Sequence, residues 1–583
     1  MKLYQLINIG FILAASLTVT SCTNLDETVY SQVMSSNYYK SRDDIVRAVL
    51  SPFEHAYHTC TMKFEGMEES GDQIITPTRD VGSWYDNGRW VRAHTHTWNI
   101  DEGPVRLGDP WSSFYIGIGK CNLVINDLDQ QDASKLGITA AEKESFKLQL
   151  RALRAWFHYY LFDGYRNIII DTKSGSENLE DMKQVSPQQA FNWLETELKD
   201  LIDRLPAKAG NTGNGNSQGL FTKAAAATML VRLYLNAEKY IGQEHWQDCI
   251  DMCKRITNGE YGSYELGKTW YEVFDWNNES SNEVIFAFPS TFGGTHWAFD
   301  TSSSTIYWRC LPVYSHVQLG ITDNGGPNPQ WVLSPSFDND GSLFKYKLGM
   351  VTQKFAKYPG DVRYKQYKNT GVNQREGMFF LEGYIRDLNG VIQKINGYNL
   401  YLLDRVGRYD ETAAQKTIAA GKPTESTLTN GDWNSGLSAV KYPMYPTGNS
   451  GHLESDYVEM RLPEVIYSEA ECLLRQGKAE EAALLLNSVR KRNYPQTYWQ
   501  QVLYVPEGKV KLDMDEMLDE WGREFLTEAR RRIDLIRFGR FEDAWWDKPA
   551  EKDAHTELWP LMRSVLNSNL NLRQNPGYED ITR

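Results

Sequence analysis

The sequence lacks the signatures of several common protein classes. Its seven cysteines form no Cys-x-x-Cys pair, which leaves a zinc ribbon or a thioredoxin-type site without support. It contains no His-Glu-x-x-His motif, the signature of many zinc hydrolases. Its formal net charge of −14 lacks the basic excess that nucleic-acid binders need. These absences argue against the simplest metal, redox and nucleic-acid assignments.

The chain does contain a large apolar fraction and many aromatic residues. Hydrophobic residues make up 41% and charged residues 24% of its 583 residues, a balance that predicts a sizeable core and little disorder. The length indicates several domains or one large body built from repeats. The 18 Trp, 33 Tyr and 22 Phe are not confined to apolar stripes. Trp84, Tyr85 and Trp90, for example, lie among Asp, Asn, Gly and Arg.

The N-terminus predicts export and a lipid anchor. Lys2 precedes an apolar run at residues 6–19, which is too short to span a bilayer and has the length of a signal peptide. The run ends in the segment VTSC, whose order resembles a bacterial lipobox with Cys22 as the acylated residue. Several acyl chains on one cysteine provide the multiple hydrophobic signals that stable anchoring needs. The acidic pair at 26–27 resembles a tag for the outer cell surface. A plain secretory signal is the alternative.

Helical periodicity is strongest in two parts of the chain. The first part, from about 40 to 260, contains predicted helices at 111–128, 141–165, 186–206, 222–240 and 245–264. Apolar residues in the first two recur at three or four positions; they are Phe114, Ile118, Leu123, Ile125, Phe146, Leu150, Leu153, Phe157 and Leu161. Segment 186–206 begins with a Ser N-cap and a Pro at N1. The alanine-rich segment 222–240 predicts close approach by a neighbouring helix.

The second helical part is C-terminal. Residues 461–493 predict two antiparallel helices that turn at Gln476 and Gly477. The apolar positions of the pair are Val465, Ile466, Ala470, Leu473, Leu474, Ala482, Leu485, Leu486 and Val489. Helix pairs of this length that recur along a chain are typical of TPR-like stacking, although the repeats here are degenerate.

Between the helical parts lies a region of different texture, at about 265–455. It is rich in Gly, Asn, Ser, Pro and aromatic residues, and it contains short strand candidates such as 282–289. Its aromatic content is too high for a disordered linker. We therefore predict an irregular, loop-rich insert on the helical scaffold, and long loops of this kind usually carry function.

The ordered series of segments resembles the SusD/RagB family of outer-membrane nutrient-uptake lipoproteins. The segments that carry the resemblance are WSSFYIGIGKCNLVINDL, KLQLRALRAWFHYYLFDGYRNIII, GLFTKAAAATMLVRLYLNAEKY, YEVFDWNNESSNEVIFAFP, MRLPEVIYSEAECLLRQGKAEEAALLLNSVRKR, EWGREFLTEARRRIDLIRFGRF and NLRQNPGY. Together they run through nearly the whole chain. Each one is modestly specific, whereas their order is strongly so.

The resemblance implies a mostly α fold, in which four TPR-like hairpins support an irregular ligand-binding face. It implies a signal peptide at 1–21, an N-terminal region at 22–264, the insert at 265–455 and a C-terminal region at 456–583. It implies a glycan ligand, no cofactor and no catalysis. It also implies a SusC-like TonB-dependent transporter as the partner, which this chain would cover as a lid. A RagB-type peptide binder is one alternative. A surface glycosidase is another, since paired carboxylates have no fixed spacing in sequence.

One stretch combines the residue types that recognise sugars. Apolar faces of sugar rings stack on aromatic side chains, and their hydroxyls form hydrogen bonds with Asp, Asn and Arg. Residues 70–90 offer both kinds of group, and the family's early segment often contributes to its glycan site. The predicted ligand contacts in this stretch are Asp72, Arg79, Trp84, Tyr85, Asn87, Arg89 and Trp90. Packing of some of these tryptophans against the helices is the alternative.

Three further stretches contain candidate functional residues. In 305–314, Tyr307, Trp308 and Tyr314 are predicted ligand contacts, although the alternation also suits a half-buried strand. The two histidines of HTHTW (94–98) would share one strand face, but without a third ligand they do not predict a metal site. The arginines of EARRRIDLIRFGR (528–540) are predicted to pair with acidic residues of the C-terminal hairpins.

Overall fold

The computed structural model describes residues 39–105, 109–173, 182–208, 219–290, 308–320, 329–371, 374–408, 425–444 and 455–581. Within them the fold is mostly α, as predicted. The N-terminal helices are α1 (Arg42–Phe64), α2 (Arg89–Thr95), α3 (Pro110–Gln130), α4 (Ala140–Tyr165), α5 (Pro187–Arg204), α6 (Lys223–Leu235), α7 (Ala237–Ile241) and α8 (Trp246–Thr257). The later helices are α9 (Val351–Ala356), α10 (Leu462–Arg475), α11 (Ala479–Arg490), α12 (Trp499–Val502), α13 (Met514–Glu524), α14 (Arg531–Arg537) and α15 (Arg563–Ser568).

Local signals begin the long helices. Thr139 and Glu142 form a capping box at the start of α4, and Ser186 and Gln189 form another at the start of α5. Each box provides hydrogen-bond acceptors for backbone N–H groups that have no partner inside the helix. A cap of this kind stabilises a helix by about 1 kcal/mol. The predicted helix starts therefore lie within a residue or two of the observed ones.

The long helices form one continuous stack. In the order α1, α3, α4, α5, α6, α8, α10 and α11, each helix packs against the next. The alanines at 224–227 are fully buried, and α6 lies against α5, α8 and α10. The apolar spacing predicts most of the buried positions, but Leu123 of α3 is 51% exposed because it points away from the face that Phe114 and Ile118 bury. The predicted hairpin at 461–493 is present, with its turn after Arg475.

Short antiparallel strand pairs organise the region between the two helical parts. The strands are β1 (Ile74–Ile75), β2 (Val284–Phe288), β3 (Val332–Leu333), β4 (Lys368–Asn369), β5 (Arg375–Glu376), β6 (Phe379–Phe380), β7 (Gly383–Tyr384), β8 (Lys394–Ile395), β9 (Tyr398–Asn399), β10 (Tyr401–Leu402), β11 (Ser438–Ala439) and β12 (Tyr457–Arg461). The pairs are β1–β3, β2–β12, β4–β5, β6–β11, β7–β10 and β8–β9. The strand predicted at 282–289 is β2.

The pair β2–β12 closes the region that separates the helical parts. Tyr457 lies opposite Phe288, and Arg461 lies opposite Val284. The chain therefore leaves the helical stack at β2 and returns beside it at β12, directly before α10. Because α8 packs against α10, the helical stack continues across this long excursion of the chain.

Buried ion pairs join the C-terminal arginines to the rest of the protein. The pairs are Arg530–Asp534 (3.1 Å), Arg531–Asp72 (2.6 Å), Arg532–Asp163 (3.5 Å) and Arg537–Glu471 (2.8 Å). The prediction that these arginines pair with acidic residues of the C-terminal hairpins is confirmed for Arg530 and Arg537, which pair with Glu464 and Glu471 of α10. It is wrong for Arg531 and Arg532, because their partners Asp72 and Asp163 lie in the N-terminal part of the chain. A buried charge that loses its partner destabilises a protein strongly, so these pairs constrain how α14 (Arg531–Arg537) docks.

Two further observations concern the described part of the chain. No helix there is both long enough and apolar enough to cross a bilayer. The six cysteines after Cys22 are all buried and none forms a disulfide, so they pack as small apolar side chains. Cys22 itself lies outside the described residues.

Candidate functional site

The predicted ligand-contact stretch forms a tight loop with an unusual backbone. Residues 79–88 contain Trp84 at φ 62°, Asp86 at φ 44° and Asn87 at φ 57°. The left-handed region is unfavourable for residues with a side chain, by about 1–2 kcal/mol each. Such strain persists only where surrounding contacts hold the backbone in place, and it is concentrated at functional sites. This loop is therefore a candidate site on backbone geometry as well as on composition.

Buried side chains pack against the loop and hold it in place. The Trp90 indole is 1% exposed, and its Nε1 donates a hydrogen bond to Asp86 Oδ2 at 2.7 Å. Arg89 is half-buried, and its Nη1 donates to the Val105 carbonyl. Arg79 is also buried, and its guanidinium carbon lies 5.2 Å from the centre of the Trp433 ring. Trp90 and Arg79 thus hold the loop in position and do not face solvent.

Two segments that are distant in sequence lie against the loop. The β8–β9 hairpin brings Tyr398, whose hydroxyl donates to the Asp80 carboxylate, and Asn396, whose Nδ2 lies 3.4 Å from the same oxygen. The turn at 430–434 brings Trp433, whose backbone N donates to Tyr398 Oη at 3.1 Å. Asp80, Tyr398 and Trp433 therefore form one hydrogen-bonded group beside the loop.

Burial and charge set the protonation of this group. Burial lowers the pKa of Arg79 to about 10, although the nearby Asp432 carboxylate opposes that change. Burial raises the pKa of Tyr398 well above its ordinary value, and the carboxylates of Asp432 and Asp80 act in the same direction. Arg79 is consequently charged and Tyr398 is neutral at physiological pH, so the Tyr398 hydroxyl keeps its proton for Asp80.

Several aromatic rings around the loop reach solvent. Tyr85 is 48% exposed. The half-buried rings are Trp84, Tyr384, Tyr398, Tyr401 and Trp433. Tyr384 and Tyr401 face each other across the β7–β10 pair with ring centres 4.8 Å apart, and Tyr401 N donates to Asn434 Oδ1, beside Trp433. We call the loop at 79–88 with Asn396, Tyr398 and Trp433 the aromatic face.

The remaining predicted contacts of the first stretch differ in accessibility. Asn87 is exposed, and its Nδ2 lies 3.5 Å from Glu102 Oε1. Asp72 is fully buried and accepts hydrogen bonds from Arg531 at 2.6 Å and from Gly349 N at 2.6 Å. Burial by itself would raise the pKa of Asp72, but the Arg531 guanidinium holds it well below the usual range. Asp72 therefore joins the loop region to α14 and has no surface to offer a ligand.

The second predicted stretch is only partly described. Tyr307 and the side chain of Trp308 lie outside the described residues. Tyr314 is 37% exposed at φ 58°, between two short 3₁₀ turns, Trp308–Cys310 and Ser315–Leu319. The half-buried strand predicted here is wrong for residues 308–314, because these turns occupy its place.

A buried glutamine connects the two stretches. Gln330 accepts from Arg309 Nη1 at its side-chain oxygen (3.1 Å) and from Arg79 Nη1 at its carbonyl (3.4 Å). Its Nε2 donates to Glu69 Oε1 at 3.2 Å, in the π-helical turn Glu65–Glu69 that ends α1. Burial raises the pKa of Glu69 to about 8. The two candidate stretches thus rest on the same end of α1.

The two histidines of 94–98 have structural partners. They lie on and just after α2 (Arg89–Thr95), so the predicted strand is wrong. The backbone N–H and C=O groups of this segment form helical hydrogen bonds instead. His94 Nε2 contacts the Trp546 carbonyl at 2.7 Å, and His96 Nδ1 contacts Glu551 at 2.6 Å. Within the described ranges, no group of three or more His, Cys, Asp or Glu side chains is arranged to hold a metal ion.

Two short strings match enzyme patterns without their structural context. Residues 262–269 read GSYELGKT, which fits the nucleotide-binding loop, but no strand precedes them and no α-helix follows. The N–H groups of Gly267 and Lys268 already donate to the carboxylates of Glu283 and Glu272, at 2.8 and 2.9 Å. A phosphate would have to displace those carboxylates. The string GNSQG at 215–219 lies almost wholly outside the described residues.

Only local composition could have indicated Tyr398 and Trp433 from the sequence. INGYNLY (395–401) and NGDWNSG (430–436) place aromatic residues among Asn and Gly, as the loop at 79–88 does. Their approach to that loop joins residues more than 300 positions apart and leaves no local signal.

Comparisons with known proteins agree with this architecture. A family model described as "SusD family" matches residues 361–557, and one described as "Starch-binding associating with outer membrane" matches residues 25–235. The starch-binding protein SusD of Bacteroides thetaiotaomicron is 24% identical over 476 residues, which cover 78% of this chain and 75% of that protein. Among solved structures, B. fragilis NanU has a TM-score of 0.64 at 16% identity, covering 94% of this chain and 99% of that one. A laminarin-binding SusD-like protein has a TM-score of 0.62 at 18% identity, covering 93% and 100%.

Proposed function

Because the chain belongs to the SusD family, we propose that it is a glycan-binding lipoprotein of the outer cell surface. It captures an oligo- or polysaccharide and delivers it to a SusC-like TonB-dependent transporter, which it covers as a lid. The names of its relatives support a glycan ligand, since one binds starch and another binds laminarin. The family description of outer-membrane association supports the location.

The aromatic face is the observation that carries the glycan proposal. It combines rings that reach solvent with carboxylate, amide and hydroxyl groups, which is the mixture that sugar rings and their hydroxyls need. Its strained backbone and buried support fix the rings before any ligand arrives. A pre-organised site of this kind loses less entropy on binding than a mobile one.

Titration calorimetry with starch- and laminarin-derived oligosaccharides tests capture. We expect binding by the soluble protein from residue 23 onward, and we expect Trp433→Ala to weaken it about tenfold. A stacked aromatic ring contributes on the order of 1 kcal/mol beyond its buried area, which supports a loss of that size. Trp499→Ala is the matched control, because Trp499 is also half-buried but packs in a separate cluster with Tyr358 and Tyr494.

Other results of this assay would replace the proposal. Binding of oligopeptides and of no glycan in the panel would indicate a RagB-type peptide binder. Release of shorter sugars during incubation, followed by chromatography, would indicate a glycosidase. Equal losses of glycan affinity in the Trp433 and Trp499 variants would mean that the ligand does not bind at the aromatic face.

The anchor and the transporter need separate tests. Cys22→Ala should abolish incorporation of labelled palmitate and release the protein from outer-membrane fractions, whereas Cys60→Ala should not, because Cys60 is buried. Undiminished labelling of the Cys22 variant would contradict the anchor. For the transporter, tagged protein purified from detergent-solubilised outer membranes should carry a TonB-dependent barrel protein in equal amount. Recovery of the tagged protein alone would contradict that partner.

A further inference from the structure

We propose that the aromatic face selects uncharged glycans and rejects anionic ones, with Asp80 and Asp86 as the specificity-determining residues. The rejected class comprises glycans that carry carboxylate or sulfate groups. This inference rests on the proposed function, since it assigns a ligand class to the same face.

Asp80 brings a negative charge to the face. Its carboxylate accepts hydrogen bonds from the Tyr398 hydroxyl and from Asn396 Nδ2, both of which are neutral donors. In the described part of the chain, no Lys, Arg or His lies within ion-pair distance of Asp80. It is half-buried, which weakens the screening of its charge by solvent.

Asp86 adds a second charge on the same loop. It is exposed, and its Oδ2 accepts a hydrogen bond from the neutral Trp90 indole at 2.7 Å. Among the described residues, no Lys, Arg or His forms an ion pair with Asp86. It follows Trp84 by two residues, so a ligand stacked on that ring lies within a Debye length of the carboxylate, about 10 Å at 0.1 M salt.

The nearby cations are already engaged within the protein. Arg79 is buried, and the nearby Asp432 carboxylate stabilises its positive charge. Arg92 pairs with Glu102 at 2.9 Å, and Arg89 donates to the Val105 carbonyl. The exposed Lys394 of the β8–β9 hairpin is the cation nearest in sequence to Asn396 and Tyr398. Asp80 and Asp86 thus bring two carboxylates to the face, and Lys394 is the exposed cation of the hairpin that lies against it.

This arrangement discriminates by charge for two reasons. A carboxylate accepts hydrogen bonds from sugar hydroxyls, and these charge-assisted bonds are the stronger kind. An anionic sugar brings a like charge to the same place, and like charges across a binding surface oppose association. Specificity of this kind depends on a repulsive element as much as on an attractive one.

A matched ligand pair tests the proposal. The probe is a neutral glucan oligosaccharide that binds in the capture assay, compared with the same oligosaccharide after oxidation of its C6 hydroxyls to carboxylates. At low salt, wild-type protein should bind the neutral form at least about tenfold more tightly. The double variant Asp80→Asn/Asp86→Asn should reduce that ratio about tenfold, because Asn keeps a side-chain oxygen acceptor without the charge.

Lys394→Gln is the control of opposite sign. Removing the ammonium group should increase discrimination against the oxidised form, and thermal melting should show that all variants fold as the wild type does. Equal or tighter binding of the oxidised form by wild type would overturn charge selection and leave the proposed function standing. If the double variant keeps the wild-type ratio of affinities for the neutral and oxidised forms, Asp80 and Asp86 do not determine specificity. Absence of binding for every neutral glycan would contradict the proposed function, and with it this inference.

Discussion

The hairpin α10–α11 and the aromatic face use large side chains in opposite ways. In the hairpin, Val465, Leu486 and Val489 are fully buried on regular helices. In the face, Tyr85 and Trp84 reach solvent from a loop that holds three non-glycine residues at positive φ. The first arrangement gains stability from burial. The second leaves apolar rings in water on a strained backbone. We therefore expect these rings to contribute to ligand binding and little to folding stability.

Removal of Arg531 should give the largest effect on the scaffold side of that comparison. Arg531→Met leaves the buried Asp72 carboxylate without its guanidinium partner and with only the more distant Lys354 ammonium at 3.9 Å, which should cost about 3–5 kcal/mol of unfolding free energy. Urea denaturation measures this loss. The control is Arg563→Met, whose pair with Asp101 is exposed to solvent, so its loss should lower the free energy of unfolding far less. Equal losses in the two variants would mean that burial does not distinguish these pairs.

Trp84, in the loop at 79–88, and Trp90, at the start of α2, allow the same comparison between two tryptophans six positions apart. Trp90→Ala should cost about 3–5 kcal/mol, because the ring is buried. Trp84→Ala should cost less than about 1 kcal/mol and should weaken glycan binding instead. Thermal melting and calorimetry on both variants separate the two effects. If the Trp84 variant melts at as low a temperature as the Trp90 variant and binds glycan as the wild type does, both rings belong to the hydrophobic core.

Leu473 tests the hairpin itself. Leu473→Ala removes a side chain that is 3% exposed, and it should cost about 2–5 kcal/mol with no change in the affinity of the folded protein. Leu484→Ala on the neighbouring helix is the control, since that side chain is exposed and its loss should lie within about 0.5 kcal/mol. Lower affinity at unchanged stability would assign the hairpin to the ligand site.

Glu69 should give an effect on stability that depends on pH. Burial raises its pKa from 4.5 to about 8, against hydrogen bonds from Thr76 and Trp331 that lower it, and Glu65 adds to the rise. Between those values the folded protein keeps a proton that the unfolded chain has released. Stability should therefore fall as pH rises through this window, by up to about 1.4 kcal/mol per pH unit for one proton.

Comparison of unfolding free energies at pH 5, 6, 7 and 8 isolates this contribution. Glu69→Gln should flatten the decline relative to wild type, because glutamine has no proton to release. Glu480→Gln, on the exposed start of α11, should leave the decline unchanged. A Glu69 variant with the wild-type slope would show that this carboxyl group does not bind the proton.

The helices and β2 could be predicted because their signals are local. The spacing of Leu150, Leu153 and Phe157 and the capping box at Thr139 each lie within one element. The partners of the candidate site could not, because contacts such as Asp72–Arg531 and Asp80–Tyr398 join residues hundreds of positions apart. Composition also could not separate Trp84 from Trp90. Both lie among polar residues, but Asp86 supplies the acceptor that lets the Trp90 indole be buried.

The closure of the irregular region at β2 and β12 has a consequence for divergence. Both ends of that region lie side by side on the helical stack, with Phe288 opposite Tyr457. The entropic cost of closing a loop grows slowly, by about 0.6 kcal/mol for each doubling of its length. Insertions and deletions in the exposed turns of this excursion should therefore leave the order of helix packing intact, whereas its buried residues, such as Phe379 and Phe380, share the core of the helices. Changes confined to those exposed turns could alter the ligand-facing side chains without altering the scaffold.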